Sequence, residues 1–194
     1  MLIKNLDKLF IITQYDIKNI QNSDVFLKAI CDSFESFNLE QLVLRKKQLE
    51  NLLLRVPQKS HLNHKFYNAM MDIFDIQIDL YKAETVSANR KLKVLNNTYL
   101  NATEVSSDDW KIFYNVFLLN QESGNFDVAT QFAELFLNAI NEKSDLEYPT
   151  IIFRKIKATL VLRDCKAVVP LAQNLKARGY LENSNLKLSA CHSF

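Results

Sequence analysis

Apolar residues recur at steps of three and four along most of this chain, the period of a helix that buries one face. Leu2, Leu6, Leu9 and Phe10 fall on one such face, although Phe10 to Tyr15 also suits an extended segment. Ser23 is placed to cap a helix whose stripe is Phe26, Ala29, Ile30, Phe34 and Phe37. Asn38 can cap the next, lined by Leu39, Leu42, Leu49, Leu52, Leu53 and Val56 and stopped by Pro57. Arg45, Lys46 and Lys47 fall mostly on its other side. From Ser60 or His61 to about Ala83, apolar residues (Phe66, Tyr67, Met70, Ile73, Phe74, Ile78, Tyr81) occupy nearly every face. Such a helix is packed between neighbours rather than laid on a surface.

The second half continues the pattern. Ser87 to Asn101 carries Leu92, Leu95, Tyr99 and Leu100, and a polar gap follows from Ala102 to Ser107. Ser107 is read as the cap of a helix with Trp110, Phe113, Val116 and Phe117 inward, ended by Gly124. Phe126, Ala129, Phe132, Ala133, Phe136 and Ile140 mark another helix. After a loop, Pro149 sits in the first turn of a helix striped by Ile152, Phe153, Ile156 and Leu160. Arg163 to Lys166 reads as a turn. The last long helix runs from about Lys166 to Arg178, closed by Gly179, and Pro170 inside it either delays its start to Val169 or kinks it. A tail from Leu181 to Phe194 adds a further short helix at most.

Eight or nine helices joined by short links make antiparallel neighbours. The expected fold class is all-α: stacked antiparallel helix hairpins in one domain, 1–194, with a soft break at 102–107. Composition supports this. Only 2 of 194 residues are glycine, against roughly 7% in an average protein. Glycine-rich phosphate loops are therefore nearly excluded, and few left-handed backbone positions are expected.

The net charge of +2 is too small for strong non-specific attraction to nucleic acid, but its distribution is uneven. Between Glu104 and Glu147 nine acids face two bases; between Arg154 and Arg178 seven bases face one acid. Arg45, Lys46, Lys47, Lys59 and Lys65 form a second basic patch, the best candidate for an RNA or DNA contact. Three cysteines at long spacings, Cys31, Cys165 and Cys191, imply no disulfide framework, so reduced thiols in a cytoplasmic setting are expected. Charges interrupt the first residues before a signal-peptide core forms. The longest uncharged apolar run, Ala167 to Ala172, is far short of the ~20 residues of a membrane helix.

No catalytic motif stands out. His61 and His64 lack an acid or cysteine nearby to complete a metal site, and Cys191-His192 stands alone. Asp72, Asp75 and Asp79 share one face of an otherwise apolar helix and read as its polar side. No enzyme activity, cofactor or metal is expected.

One stretch carries a family likeness. Residues 113–137, FYNVFLLNQESGNFDVATQFAELFL, place Gly124 at an interhelical turn, Phe126 just after it and Ala129 where two helices meet closely. With Phe113 and Val116 in register, this stretch resembles a tetratricopeptide repeat, a helix–turn–helix unit of about 34 residues. Phe117 stands where that family has a small residue and Asn120 where it has a second aromatic. The pairs 24–56, 61–101 and 148–179 share only helix length and rhythm with it. The resemblance implies a right-handed superhelix with a groove formed by the first helix of each pair. Tyr114, Asn115, Leu118 and Gln121 would face that groove, with Arg154 and Lys155 in the comparable place on the next repeat. Such a groove would suit an extended peptide bearing an acidic group or a free carboxylate. The expectation is a non-enzymatic protein-interaction module, an adaptor, scaffold or chaperone-like protein, with homodimerisation covering some of its aromatics. Two alternatives stay open: the peptide-sensing part of a transcriptional regulator, and a nucleic-acid-binding helical protein.

Overall fold

The computed structural model describes residues 38–55, 64–102, 109–141 and 149–180. Among these residues there are seven α-helices and no strand: α1 Leu39–Arg55, α2 His64–Tyr81, α3 Thr85–Leu100, α4 Trp110–Glu122, α5 Phe126–Asn141, α6 Pro149–Val161 and α7 Cys165–Ala177. The all-α expectation is met among the described residues, which carry seven of the eight or nine helices expected. The helices expected at 2–20 and 23–37, the cap Ser107, His61, Lys59 and the tail from Leu181 lie outside the described residues. No described helix is long and apolar enough to cross a membrane. The chain forms two compact units that divide between Ala102 and Thr103, at the start of the polar gap.

The first unit holds α1, α2 and α3, with α2 packed on both neighbours. Asn38 starts α1 as a reciprocal cap: its Oδ1 accepts from Gln41 N at 2.9 Å, and Gln41 Oε1 accepts from Asn38 N at 3.0 Å. Each bond satisfies an amide that the helix start leaves open. Asn38→Ala is expected to cost about 1 kcal/mol, read as a lower urea midpoint at unchanged slope. Leu42 and Leu49 are fully buried, each contributing roughly 1.5–3 kcal/mol of burial. Arg45 lies between them on the same face, three residues after one and four before the other, and is itself buried. That corrects the expectation that it belongs to an exposed basic face. Its long alkyl stem fills apolar space while Nη1 donates to Gln48 Oε1 at 3.1 Å. On α2, Phe66, Tyr67, Met70, Ile73, Phe74 and Ile78 are buried as expected, whereas Tyr81 is exposed.

The second unit holds α4 to α7, each packed on the next in sequence. Trp110, Phe113, Val116 and Phe117 on α4 meet Ala129, Phe132, Ala133 and Phe136 on α5, all of them buried. Phe126, counted in the apolar stripe of α5, is 65% exposed. Ile152, Ile156, Val168, Ala172 and Leu175 make a second cluster across α6 and α7. Pro149 is the first residue of α6, as expected. Helix α7 starts at Cys165, next to the expected Lys166 rather than at Val169, and Asp164 caps it: Asp164 Oδ1 accepts from Ala167 N at 3.1 Å. It runs through Pro170, which is exposed. Water can satisfy the carbonyl that the proline ring leaves unpaired there. Cys165, the first residue of α7, is disulfide-bonded. This corrects the reduced-thiol expectation, since spacing along the chain says nothing about which sulfurs meet in space.

One turn joins the helices of three successive hairpins, and its closing bonds recur after α7, where Gly179 N donates to Lys176 O and Tyr180 N to Leu175 O. Helices α2, α4 and α6 each end on a residue with positive φ: Ala83 at 59°, Gly124 at 77° and Arg163 at 56°. In each case that residue's N–H bonds to the carbonyl three back, and the next N–H bonds to the carbonyl five back (Glu84 to Asp79, Asn125 to Asn120, Asp164 to Thr159). This is a Schellman closure. The residue after the left-handed one then opens the following helix, its carbonyl accepting from Ala88, Ala129 and Val168 respectively. The registers agree on both sides of the turn. Ile76, Phe117 and Ile156 are equivalent and buried, as are Ala88, Ala129 and Val168, and Leu95, Phe136 and Leu175. The residue that accepts the longer closing bond is in each case a buried polar one: Asp79, Asn120 or Thr159. Asn120 Nδ2 donates to Val116 O at 2.8 Å and Thr159 Oγ1 to Lys155 O at 2.7 Å, while Asp79 takes an ion pair instead.

Left-handed positions are few among the described residues, as expected, but two of these three turns do without glycine. A side chain there costs roughly 1 kcal/mol. Ala83→Gly and Arg163→Gly are therefore expected to stabilise the protein by about 0.5–1 kcal/mol, and Gly124→Ala to destabilise it by a similar amount. At Gly124 the cost is backbone strain alone, since no atom lies within 4 Å of an added Cβ. Urea midpoints of the three variants read both signs.

Candidate functional site

Three acids on α2 set the electrostatics of the first unit. Asp75 reaches α1, with Oδ1 2.7 Å from Lys46 Nζ, which also lies 3.2 Å from Glu50 Oε1. The Asp75 hydrogen bond holds the Lys46 ammonium above its ordinary range. Asp79 reaches α3, with Oδ2 2.7 Å from Lys91 Nζ. Burial pushes the Asp79 carboxyl up, but hydrogen bonds from Lys91 and Ser87 and the charges of Lys91 and Lys82 outweigh it, so the net shift is downward. Asp72 has no such partner. Desolvation raises its carboxyl, the Asp75 charge adds to this, and Lys91 only partly opposes it. The row is thus a polar side, as expected, that ties α2 to both neighbours.

Asp72 lies in an open groove of about 690 Å³ between α2 and α3. Val94 supplies its exposed apolar surface over a floor of buried Ala69, Leu95 and Tyr99, and Asn68 and Thr98 the neutral polar groups. Lys65, Arg90 and Lys91 bring three cations. Lys65 Nζ stands 5.8 Å from the Tyr99 ring centre, a cation–π distance. Tyr99 and Leu95 are buried, whereas Val94 is 64% exposed. A smaller hollow of about 410 Å³ adjoins at the α2–α3 turn and shares Arg90, with Val86 on its wall.

The second unit carries an aromatic–cation cluster. Arg154 on α6 stacks over Tyr114 at 5.0 Å and Trp110 at 5.7 Å, and Lys111 stands 5.4 Å from Trp110. Tyr114 lies 5.0 Å from Phe136 and 5.8 Å from Phe117.

Of the residues singled out for a repeat-type groove, Tyr114 and Arg154 meet directly. Tyr114 and Asn115 are buried, and Asn115 Nδ2 donates to Lys111 O at 2.8 Å. Leu118 and Gln121 are half-buried. Lys155 Nζ donates to Asn141 Oδ1 at 3.3 Å. The basic patch is not continuous. Arg45 is buried, Lys46 is ion-paired, Lys47 and Lys65 are exposed on different helices, and Lys59 lies outside the described residues. Sequence reasoning missed Arg90, Lys91, Asn68 and Thr98. The signal was available as the Arg90-Lys91-Leu92-Lys93-Val94 run, in which cations flank an exposed valine.

The described residues hold no group of three or more His, Cys, Asp or Glu side chains placed to share a metal ion. His64 Nε2 is buried without a hydrogen-bond partner. Asp72 shares the groove with Lys91, whose charge only partly opposes the rise of its carboxyl. The arrangement therefore offers apolar contact and charge complementarity, the ingredients of recognition. Comparison with family models, with curated proteins and with solved structures found no match to this chain.

Proposed function

We propose that the chain is a helical-hairpin repeat protein of tetratricopeptide-like kind, working as a non-enzymatic module that holds a peptide or helix of a partner protein. The observation that carries this reading is the threefold use of one hairpin turn with the same buried positions on either side. Left-handed residues 83, 124 and 163 recur at spacings close to 40 residues, within the 20–50-residue range of repeat architectures. Proteins built this way use their stacked helices as extended binding surfaces. The Arg154 stack on Tyr114 and Trp110 supports the same reading, because it joins the first helices of two successive hairpins in the second unit.

The nucleic-acid alternative fits less well, since the patch it needs is interrupted at Arg45 and Lys46. The peptide-sensing alternative uses the same kind of surface. Display selection of random peptides on the intact chain tests the proposal. Enrichment of a sequence family that competes as free peptide, with no requirement for metal or nucleotide, is expected. Failure to enrich any sequence, or binding that requires a nucleotide, contradicts it.

A further inference from the structure

We infer that the α2–α3 groove is the docking site for an acidic amphipathic helix of a partner protein, an inference that rests on the interaction-module reading and specifies its ligand. The first argument is charge. The groove presents Lys65 and Arg90 against the single carboxyl of Asp72, while Lys91 is already paired with Asp79. Arg90 is exposed and makes no ion pair among the described residues. An incoming carboxylate there gains a partner without displacing one.

The second argument is the apolar track. Val86, Arg90, Val94 and Thr98 follow at intervals of four on α3, which lays them along one side of the helix. Val86 is 85% exposed and Val94 64%. The stretch spans about 18 Å at 1.5 Å per residue, the length of a helix of about 12 residues. A helix laid in the groove is the docking mode that matches the length and spacing of this track.

The same observations disfavour a nucleic acid. Tyr99 is only 3% exposed, so its ring offers no platform for a base. Asp72 would repel a phosphate that settled in the groove, whereas a helix can turn an apolar side chain toward it.

The test uses the intact chain and a display library of peptides of about 12 residues, with apolar residues at helical spacing and glutamate at the flanks. Fluorescence anisotropy of the selected peptide then reads affinity. Val94→Glu is expected to weaken binding at least about tenfold, through a charge placed in the apolar contact. Arg90→Glu is expected to weaken it about fivefold and to restore affinity for the same peptide with lysine flanks. Asp72→Asn is expected to tighten it about twofold, because the opposing carboxyl is removed. All three positions are exposed, so unchanged circular dichroism is the check that the fold persists.

The proposal is overturned if the library yields no binder, if glutamate- and lysine-flanked peptides bind alike, or if a single-stranded oligonucleotide displaces the peptide. It is also overturned, with the interaction-module reading left intact, if a peptide from the random selection binds the Val94→Glu and Arg90→Glu variants as tightly as the parent.

Discussion

Phe136→Ala is expected to be the most damaging single truncation in the second unit. The Phe136 side chain is fully buried on α5, with its ring 5.0 Å from Tyr114 and 6.3 Å from Trp110 on α4. Removing it takes away the apolar transfer energy of the ring and leaves a cavity that rigid helices close only in part. Together these cost about 3–5 kcal/mol, a large share of the roughly 5–15 kcal/mol that holds a typical domain folded. In a thermal melt of the intact chain, the loss should lower the transition of this unit by more than about 10 °C. Phe126→Ala is the matched control. That ring is 65% exposed at the start of the same helix, and its removal should stay within about 0.5 kcal/mol. Equal effects of the two substitutions would contradict the packing described.

Lys91→Met should be the most damaging change in the first unit that leaves the core untouched. The Asp79 side chain is 10% exposed, and Lys91 Nζ is its ion-pair partner. Without that ammonium the carboxylate keeps its burial and loses both a charge-assisted hydrogen bond and a counter-charge. A cost of about 2 kcal/mol at neutral pH follows from leaving a buried charged group short of a partner.

The pH dependence follows from the direction of the Asp79 shift. Its carboxyl sits below the ordinary value in the folded protein. The stabilisation it contributes is therefore complete above the unfolded carboxylate pKa and is lost as pH falls through the depressed folded one. In Lys91→Met the downward causes from Lys91 vanish while burial remains, so the folded pKa moves up. The variant should lose its deficit relative to the parent as the solution is acidified and show the full deficit at neutral pH. Urea titrations at several pH values measure this. A deficit independent of pH would contradict the role given to the pair.

Much of the fold was legible because helix periodicity is a local signal. The stripes at Phe66 to Ile78 and at Ala129 to Ile140 needed no tertiary information, and Asn38, Pro149, Gly124 and Gly179 punctuate the chain by their own stereochemistry. Tertiary context hid the rest. Arg45 reads as a surface residue because charge is the only property that a pattern count sees. Its stem is nonetheless the right length to lie between Leu42 and Leu49. The turns at Ala83 and Arg163 carry no glycine, so the repeat shows in hydrogen bonds and burial rather than in spelling.

The candidate site was less legible than the fold. The family likeness pointed to Tyr114 and Asn115 as groove residues, and both lie in the interior. Side chains on the first helix of a hairpin face a groove or a core depending on a rotation that apolar spacing alone does not fix, since α4 is apolar nearly all round. The groove between α2 and α3 needed two helices to be brought together. Lys65 and Arg90 are 25 positions apart in the chain, and neither is informative without the other. The Asp72 carboxyl, raised by its surroundings, marks that place only once the surroundings are known.

The measurement that tests the central claim most directly is an amide-shift titration of the isotope-labelled intact chain with the selected acidic peptide. Perturbations concentrated on residues 65–72 and 90–99, saturating together with the anisotropy signal, are the predicted result. Saturation that leaves those amides unmoved, with shifts elsewhere or none at all, would contradict the claim that this hairpin surface is where the protein meets its partner.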